Sequence, residues 1–241
     1  MAGFGRERGM GVTVRVLLFA VLAERAGARE VVLHLPAGST AREAWRNLPA
    51  PLGEDELLRQ AVRVAVNRSY ADWETVLQEG DEVAFIPPVA GGNGAHPPSP
   101  LVEPVQVVLT REPLSVEPWV QAVSGPEAGA VAVFVGTVRQ VTGTRRTVSI
   151  LYEAYEEMAV AEMARIGQEA SERYPGCRMV LAHRMGRLQP GEVSLVVAVS
   201  CPHRAEAFAC LREAVEAIKA RVPIWKKERF EDGEEWVGMG A

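Results

Sequence analysis

A glycine- and proline-rich segment divides this chain into two parts. Residues 91–104 read GGNGAHPPSPLVEP and show no apolar periodicity, which is typical of a linker. The parts on either side have roughly 80 and 140 residues, and each is long enough to bury a core of its own. The sequence therefore predicts two domains, at residues 12–92 and 105–241, joined by a linker at residues 93–104.

The composition excludes several classes of protein. Of the 241 residues, 48% are hydrophobic and 24% are charged, which argues against a disordered chain. No apolar run reaches the roughly 18 residues of a membrane-spanning helix, and a net charge of −5 gives no nucleic-acid-binding footprint. Residues 1–11 lack the apolar region of a secretory signal, so we expect a cytoplasmic protein that binds neither membrane nor nucleic acid.

The first part shows the order of strands and helices that a β-grasp domain has. Alternating apolar residues and turn signals predict strands at residues 12–19, 30–35, 62–66 and 82–86. Thr40 and Glu43 have the spacing of a capping box, which predicts a helix through about Leu48. Two strands, a helix and two further strands favour the β-grasp fold.

The second part alternates longer strands and helices. The predicted strands are 105–109, 130–138, 147–154, 178–184, 192–200, 224–230 and 234–237, and the predicted helices are 115–123, 156–173 and 204–221. Residues 130–138 are nearly all apolar, so we expect a strand that is buried on both faces. In the last helix, Phe208, Leu211, Val215 and Ile218 have the spacing of a stripe that faces the core.

Lysine is rare in this chain and confined to one region. Only three of the 26 basic residues are lysines, namely Lys219, Lys226 and Lys227. Lys219 lies in the last turn of its predicted helix, and Lys226 follows a break at Pro223, so the two ammonium groups could converge. Converging cations lower one another's pKa, and a lysine can then act as an acid, a base or a nucleophile. The alternative is a composition bias that leaves these lysines on solvated surfaces.

The junction Cys201-Pro-His203-Arg204 joins an apolar strand to a helix. Free N–H groups at a helix start bind anions, and His203 and Arg204 would add charge for a phosphate. A Cys201–His203 nucleophile is a further hypothesis, although a buried cysteine is the commoner finding. Because the three cysteines contain no CxxC pair, we expect neither a disulfide framework nor a zinc site.

Further candidate residues lie near the ends of predicted strands. Gly136 would permit a close backbone approach, and Arg139 would bind a phosphate or carboxylate, or else is one surface charge among many. His183 could join this site, but we interpret it as structural. Gly91-Gly92 follows the β-grasp pattern, and a tail without side chains can enter a narrow channel.

These motifs resemble those of one enzyme. Residues 12–92 resemble the small, ubiquitin-like sulfur-carrier subunit of molybdopterin synthase, through Leu17-Leu-Phe-Ala20 and the ending Gly80-Asp-Glu-Val-Ala-Phe-Ile-Pro-Pro-Val-Ala-Gly-Gly92. Residues 105–237 resemble its large catalytic subunit. The motifs there are Phe134-x-Gly-x-x-Arg139, His183-Arg-x-Gly186, Pro190-Gly191, His203-Arg204 and Lys219-x-Arg-x-Pro-x-Trp-Lys-Lys-Glu228.

The resemblance implies a fold and a reaction. The fold is α+β, with an N-terminal β-grasp domain followed by an α/β-hammerhead domain. Gly92 would be adenylated by a separate sulfur-loading enzyme and become a thiocarboxylate, whose tail enters the catalytic domain. Two such sulfurs would be transferred to cyclic pyranopterin monophosphate (precursor Z), which gives the dithiolene of molybdopterin.

The resemblance also assigns residues. Lys219 is the leading catalytic residue, with Lys226 as its neighbour and Gly92 as the sulfur-carrying end. The matching substrate-binding positions are Thr137, Val138, Arg139, His203, Arg204, Lys227 and Glu228. The family further implies a homodimer through the C-terminal domain, and we expect no metal and no other cofactor.

One departure from the family pattern concerns Gly92, which is joined to Asn93 instead of ending the chain. An internal carbonyl cannot be adenylated as a carboxylate. We therefore expect either cleavage after Gly92, since the linker is a plausible protease site, or a free carrier protein that acts in trans. A non-catalytic ubiquitin-like adaptor and a thiol enzyme that uses Cys201 remain alternatives from other functional classes.

Overall fold

The computed structural model describes residues 11–50, 52–87 and 105–237. The side chains of residues 56 and 57 are outside that description. The chain forms two compact units, which are divided between Pro88 and Val89. In the described residues, no helix is both long and apolar enough to cross a membrane.

The first unit is one mixed sheet with short helices. Its elements are β1 (Val12–Leu18), α1 (Val21–Ala26), β2 (Glu30–Leu35), α2 (Ala41–Arg46), a 3-10 turn (Leu52–Glu54), α3 (Glu56–Ala61), β3 (Arg63–Val66), β4 (Ser69–Ala71) and β5 (Glu82–Ile86). The strand order is β2-β1-β5-β3-β4, with β1 and β5 parallel. This arrangement confirms the β-grasp prediction, although α3 and β4 were not expected.

Aromatic side chains fill the core of the first unit. Trp45 and Phe85 are fully buried and meet edge to face, with ring centroids 5.1 Å apart. The predicted capping box begins α2, because Glu43 N–H donates to Thr40 Oγ1 at 3.4 Å and Thr40 N–H donates to Glu43 Oε2 at 2.8 Å. The helix therefore starts where the sequence indicated.

Residues 105–237, the described part of the second unit, contain two sheets and three helices. Its elements are β6 (Val105–Thr110), α4 (Glu117–Val123), β7 (Ala130–Thr137), β8 (Val141–Thr142), β9 (Arg145–Ala154), α5 (Glu156–Arg173), β10 (Arg178–Arg184), β11 (Gly186–Leu188), β12 (Val193–Cys201), α6 (Arg204–Arg221), β13 (Ile224–Phe230) and β14 (Gly233–Val237). One sheet has the order β6-β10-β12-β7, and the other has the order β11-β9-β13-β14, with β8 paired to β9. The predicted mixture of helices and sheets is confirmed.

Two burial predictions for the second unit are wrong. Strand β7 lies at the edge of its sheet, so Val131 and Val135 are 40% and 37% exposed instead of buried on both faces. Phe208 is 65% exposed, whereas Ala207 and Cys210 face the core. Val215 and Ile218 of the predicted stripe are buried and Leu211 packs against the core, so within this stripe only Phe208 departs from the prediction.

The prediction of no disulfide is also wrong. Cys177, just before β10, is bonded to Cys201 at the end of β12. Cys210 is a buried free thiol, and the three sulfur atoms lie within 4.8 Å of one another. The spacing of 24 residues between Cys177 and Cys201 carries no local signature, and the antiparallel pairing of β10 with β12 brings the two together.

Candidate active site

A cavity of about 520 Å³ lies in the second unit, where the end of α6 meets strands from both sheets. Its walls come from β7, β9, β10, β12, α6 and β13. Regular elements therefore position most of its side chains, which keeps a site more rigid than loops would.

The two lysines converge on this cavity, as their spacing suggested. Lys219 lies in the last turn of α6, and Lys226 lies on β13 after the reversal at Pro223. The Lys219 ammonium is 5.7 Å from the centroid of the Phe134 ring. The Lys226 ammonium is 3.4 Å from Oε1 of Glu228, whose side chain is 1% exposed. Glu228 therefore holds Lys226 from behind the cavity wall.

The end of β7 contributes the other predicted residues. Thr137 and Arg139 line the cavity, and Gly136 packs tightly, because a Cβ there would lie 3.3 Å from both Leu195 and Phe134. Val138 is buried beneath the wall. Its N–H donates to the carbonyl of Glu192 at 3.0 Å, and its carbonyl accepts from the N–H of Gly191 at 2.8 Å.

Some predicted site residues lie elsewhere. His203 and Arg204 are exposed at the start of α6, and the helix rises by about 22 Å between Arg204 and Lys219. Lys227 is on the opposite face of β13 from Lys226 and pairs with Glu234 at 2.8 Å. Gly92 is outside the described residues.

The thiol-enzyme alternative is wrong for this structure. Cys201 is fully buried and carries a disulfide instead of a thiol, whereas His203 is exposed. Nor does Cys201 line the cavity that holds the lysines.

Three uncharged residues of the cavity were not all predicted as site residues from the sequence. Tyr152, His183 and Ser194 line it, so His183, which we interpreted as structural, lies at this cavity. Burial lowers the pKa of His183 to about 4. Burial also raises the pKa of Tyr152, although a hydrogen bond with Ser194 acts in the opposite direction. The local signals were the His183-Arg-x-Gly186 motif and the position of His183 near a strand end, and Tyr152 and Ser194 had none because these residues meet through pairing between distant strands.

Comparison with known proteins relates each unit to a protein family. A model of the MoaE protein family matches residues 109–221, and a model of the ThiS family matches residues 16–92. The molybdopterin synthase catalytic subunit of Halalkalibacterium halodurans is 48% identical over 130 residues, which cover 54% of this chain and 83% of that protein. This chain belongs to the molybdopterin synthase catalytic subunit family.

Further relatives agree with this assignment. The molybdopterin synthase catalytic subunit of Bacillus subtilis is also 48% identical over 130 residues, covering 54% of this chain and 83% of that protein. The crystal structure of molybdopterin synthase from Staphylococcus aureus has a TM-score of 0.52 and 41% identity, and the match covers 55% of this chain and 96% of that chain. Family membership indicates an enzyme of molybdenum cofactor biosynthesis, with a ThiS-family sulfur-carrier domain in the same chain.

Proposed function

We propose that this chain is a molybdopterin synthase that contains its sulfur carrier and its catalytic domain in one polypeptide. In the proposed reaction, two Gly92 thiocarboxylates in succession each donate one sulfur atom to one of two carbons of cyclic pyranopterin monophosphate. Each transfer forms a carbon–sulfur bond and releases an oxygen substituent from the same carbon. Hydrolysis then frees the carrier with a carboxylate at Gly92. The chain is thus proposed to be a sulfurtransferase.

The observation that carries this proposal is the meeting of Lys219, Lys226 and Arg139 in one cavity. The proposed substrate bears a phosphate, and negative charge develops as its cyclic ester opens, so fixed cations stabilise both states. The thiocarboxylate is an anion as well, and the same charges attract it. Within the described residues, neither Lys219 nor Arg139 forms an ion pair, so both are available to a ligand.

The residues of the cavity divide the proposed work. Lys219 transfers protons at the carbons that gain sulfur, because its side chain gives a proton as the ammonium and accepts one as the amine. Arg139 binds the phosphate, since a guanidinium presents paired donors to phosphate oxygens. Lys226, which pairs with Glu228, binds the anionic thiocarboxylate of Gly92. Thr137 forms the adjoining edge of the proposed binding surface. Val138 holds the end of β7 behind it through its two backbone hydrogen bonds, and Lys227 supports β13 from its other face.

A rate measurement tests the proposal. The full-length chain is mixed with precursor Z and with a separate carrier that ends in a Gly92 thiocarboxylate, and the dithiolene product is followed by mass spectrometry. We expect product with the unaltered chain and a loss of about 100-fold or more for Lys219→Ala. Arg212→Ala is the matched control, since it removes a cation of the same helix that does not line the cavity.

Two results contradict the proposal. If the unaltered chain forms no product, the sulfur-transfer function is wrong, and the adaptor alternative gains support. If Lys219→Ala retains its fold by circular dichroism and its full rate, the role of Lys219 is wrong.

The carrier within the chain needs a free end to act. We propose that the chain is cleaved after Gly92, which then becomes a substrate of the adenylating enzyme. An intact mass of the protein from its native host tests this, since cleavage gives two fragments that separate between Gly92 and Asn93. A single full-length species that is active without added carrier contradicts cleavage.

A second copy of the chain is proposed to complete the site. The about 22 Å rise along α6 keeps one small substrate from touching both Lys219 and Arg204 of the same chain. The edge strand β7 and the exposed Phe208 are features of the kind that pair with another chain. We infer a homodimer in which His203 and Arg204 of one copy lie near the cavity of the other.

Mixing two inactive variants tests this homodimer. One variant carries Lys219→Ala, and the other carries both His203→Ala and Arg204→Ala. Random exchange makes half of the dimers mixed, and each mixed dimer has one intact site of two, so about a quarter of the normal rate should return. No recovery after confirmed exchange contradicts a shared site. A mass of 26.1 kDa in solution, that of one chain, contradicts the dimer itself.

A further inference from the structure

The cavity has two chemically different walls. Arg139, Lys219 and Lys226 form a cationic wall, and Tyr152, His183 and Ser194 form a neutral one. The proposed reaction uses only the cationic wall. The neutral wall therefore has hydrogen-bonding capacity that the proposal leaves unused.

His183 offers an acceptor to the cavity. Its Nδ1 is 3.0 Å from the carbonyl oxygen of Arg184, and because a carbonyl can only accept, Nδ1 carries the proton. Nε2 is then unprotonated. Within residues 11–50, 52–87 and 105–237, Nε2 has no hydrogen-bond partner. It is also not among the fully buried side-chain atoms that lack one, so it keeps some accessible surface. Because burial keeps the pKa of His183 at about 4, the ring is neutral near pH 7.

The surroundings hold this acceptor in place. The Tyr152 ring meets the His183 ring edge to face, with centroids 5.2 Å apart. The Tyr152 hydroxyl hydrogen-bonds to Ser194, and Ser194 Oγ donates to the carbonyl of Gly136 at 3.2 Å. Strands β9, β10, β12 and β7 supply these groups, so the wall is preorganised.

We propose that this wall, with His183 as its acceptor, binds the uncharged heterocycle of the substrate through one of its ring N–H groups. The proposal rests on the proposed function, because it assigns the part of the substrate that the cations do not hold. A cationic ligand group would be repelled by the two lysines and Arg139, and an anionic group would bind to them instead. A neutral N–H donor is what remains for the acceptor Nε2. His183 thereby orients the substrate carbons toward Lys219.

Binding without turnover tests this assignment. The full-length chain is titrated by calorimetry with precursor Z, with a phosphate-free pterin and with inorganic phosphate, with no thiocarboxylated carrier present. We expect His183→Phe to weaken both pterin ligands by roughly tenfold and to leave phosphate binding unchanged. Arg139→Ala should weaken phosphate and precursor Z but leave the phosphate-free pterin unchanged. His183→Gln, which retains an acceptor, should restore most of the pterin affinity.

A spectroscopic measurement covers the case in which His183→Phe does not fold. The ¹⁵N resonances of the ring of His183 are recorded in the unaltered protein and assigned by comparison with His183→Gln. Binding of the pterin should shift the Nε2 resonance and leave Nδ1 nearly unchanged, because only Nε2 gains a donor.

The outcomes separate the two proposals. If precursor Z does not bind the unaltered chain, the proposed function fails, and this inference fails with it. If precursor Z binds but both the affinity of His183→Phe and the Nε2 resonance are unaffected, the inference is wrong and the proposed function stands.

Discussion

The two ends of helix α6 carry predicted site residues but are held by different forces. At its start, Cys201 precedes the helix and is covalently bonded to Cys177. At its end, near Lys219, Arg221 is held by ion pairs. Its Nε lies 2.6 Å from Glu162, and its two terminal nitrogens lie 2.6 and 2.9 Å from Glu169 on α5.

Because the forces differ, different changes should destabilise each end of α6. A disulfide limits the freedom of the unfolded chain and responds to reductant. A buried ion pair depends on having both partners, because a lone buried charge is costly. Glu162 is only 3% exposed on its side chain, so the end that bears Lys219 depends on charge, and the end that bears His203 depends on a covalent bond.

The largest expected effect comes from removing the disulfide. A bond that closes a loop over 24 residues stabilises a chain by about 3.5 kcal/mol through the entropy of the unfolded state. The double variant Cys177→Ala, Cys201→Ala should lose about that much unfolding free energy in urea. Both cysteines are replaced together because Cys210 is close enough to form a new pair with either.

Reductant provides the control for this prediction. Dithiothreitol should lower the urea midpoint of the unaltered protein and leave that of the double variant unchanged. If reductant lowers both midpoints equally, the disulfide is not what stabilises this end of α6.

A slightly smaller effect is expected at the other end. Arg221→Met should lower the unfolding free energy by about 3 kcal/mol, near the lower limit for a broken buried pair, because Arg165 still contacts Glu162. The loss should not respond to reductant. The double variant Arg221→Met, Glu162→Leu should recover part of it, since no buried charge is then left unpaired. A single variant as stable as the unaltered protein contradicts a role for this network.

The sequence predicted one end of α6 better than the other, for a physical reason. Lys219 and Lys226 converge through a helix end and the break at Pro223, which are local signals. The Cys177–Cys201 bond and the contact of Tyr152 with His183 arise from pairing between distant strands, which spacing does not reveal. Phe208 was misassigned because an apolar stripe indicates a buried face without indicating what covers it.

Lowering the pH should reduce the free energy of unfolding through His183 in the cavity, without affecting the disulfide. The pKa of His183 is about 4 in the folded protein and near 6.5 when unfolded, because burial disfavours the charged ring. The unfolded state therefore binds the proton first, and stability falls as the pH drops from about 6.5 to 4. The loss should be at most about 3 kcal/mol. Unfolding by urea across this pH range measures it.

Two variants sharpen the acid prediction. His183→Gln should lack this part of the pH dependence, because glutamine does not titrate. The variant without the disulfide should retain it in full. If the pH dependence is the same in His183→Gln and in the unaltered protein, His183 does not take up its proton on unfolding.

The smallest effect is expected for a surface ion pair between α6 and α5. Glu213 pairs with Arg173 at 2.9 Å and accepts from the Tyr174 hydroxyl at 2.8 Å, but Arg173 is 68% exposed on its side chain. Solvent screens such pairs, so Glu213→Gln should change the unfolding free energy by less than about 1 kcal/mol, and added salt should reduce the difference further. A loss as large as that of Arg221→Met would contradict the view that burial determines how much an ion pair between α5 and α6 stabilises the fold. The contrast between the two ends of α6 would then depend on the disulfide alone.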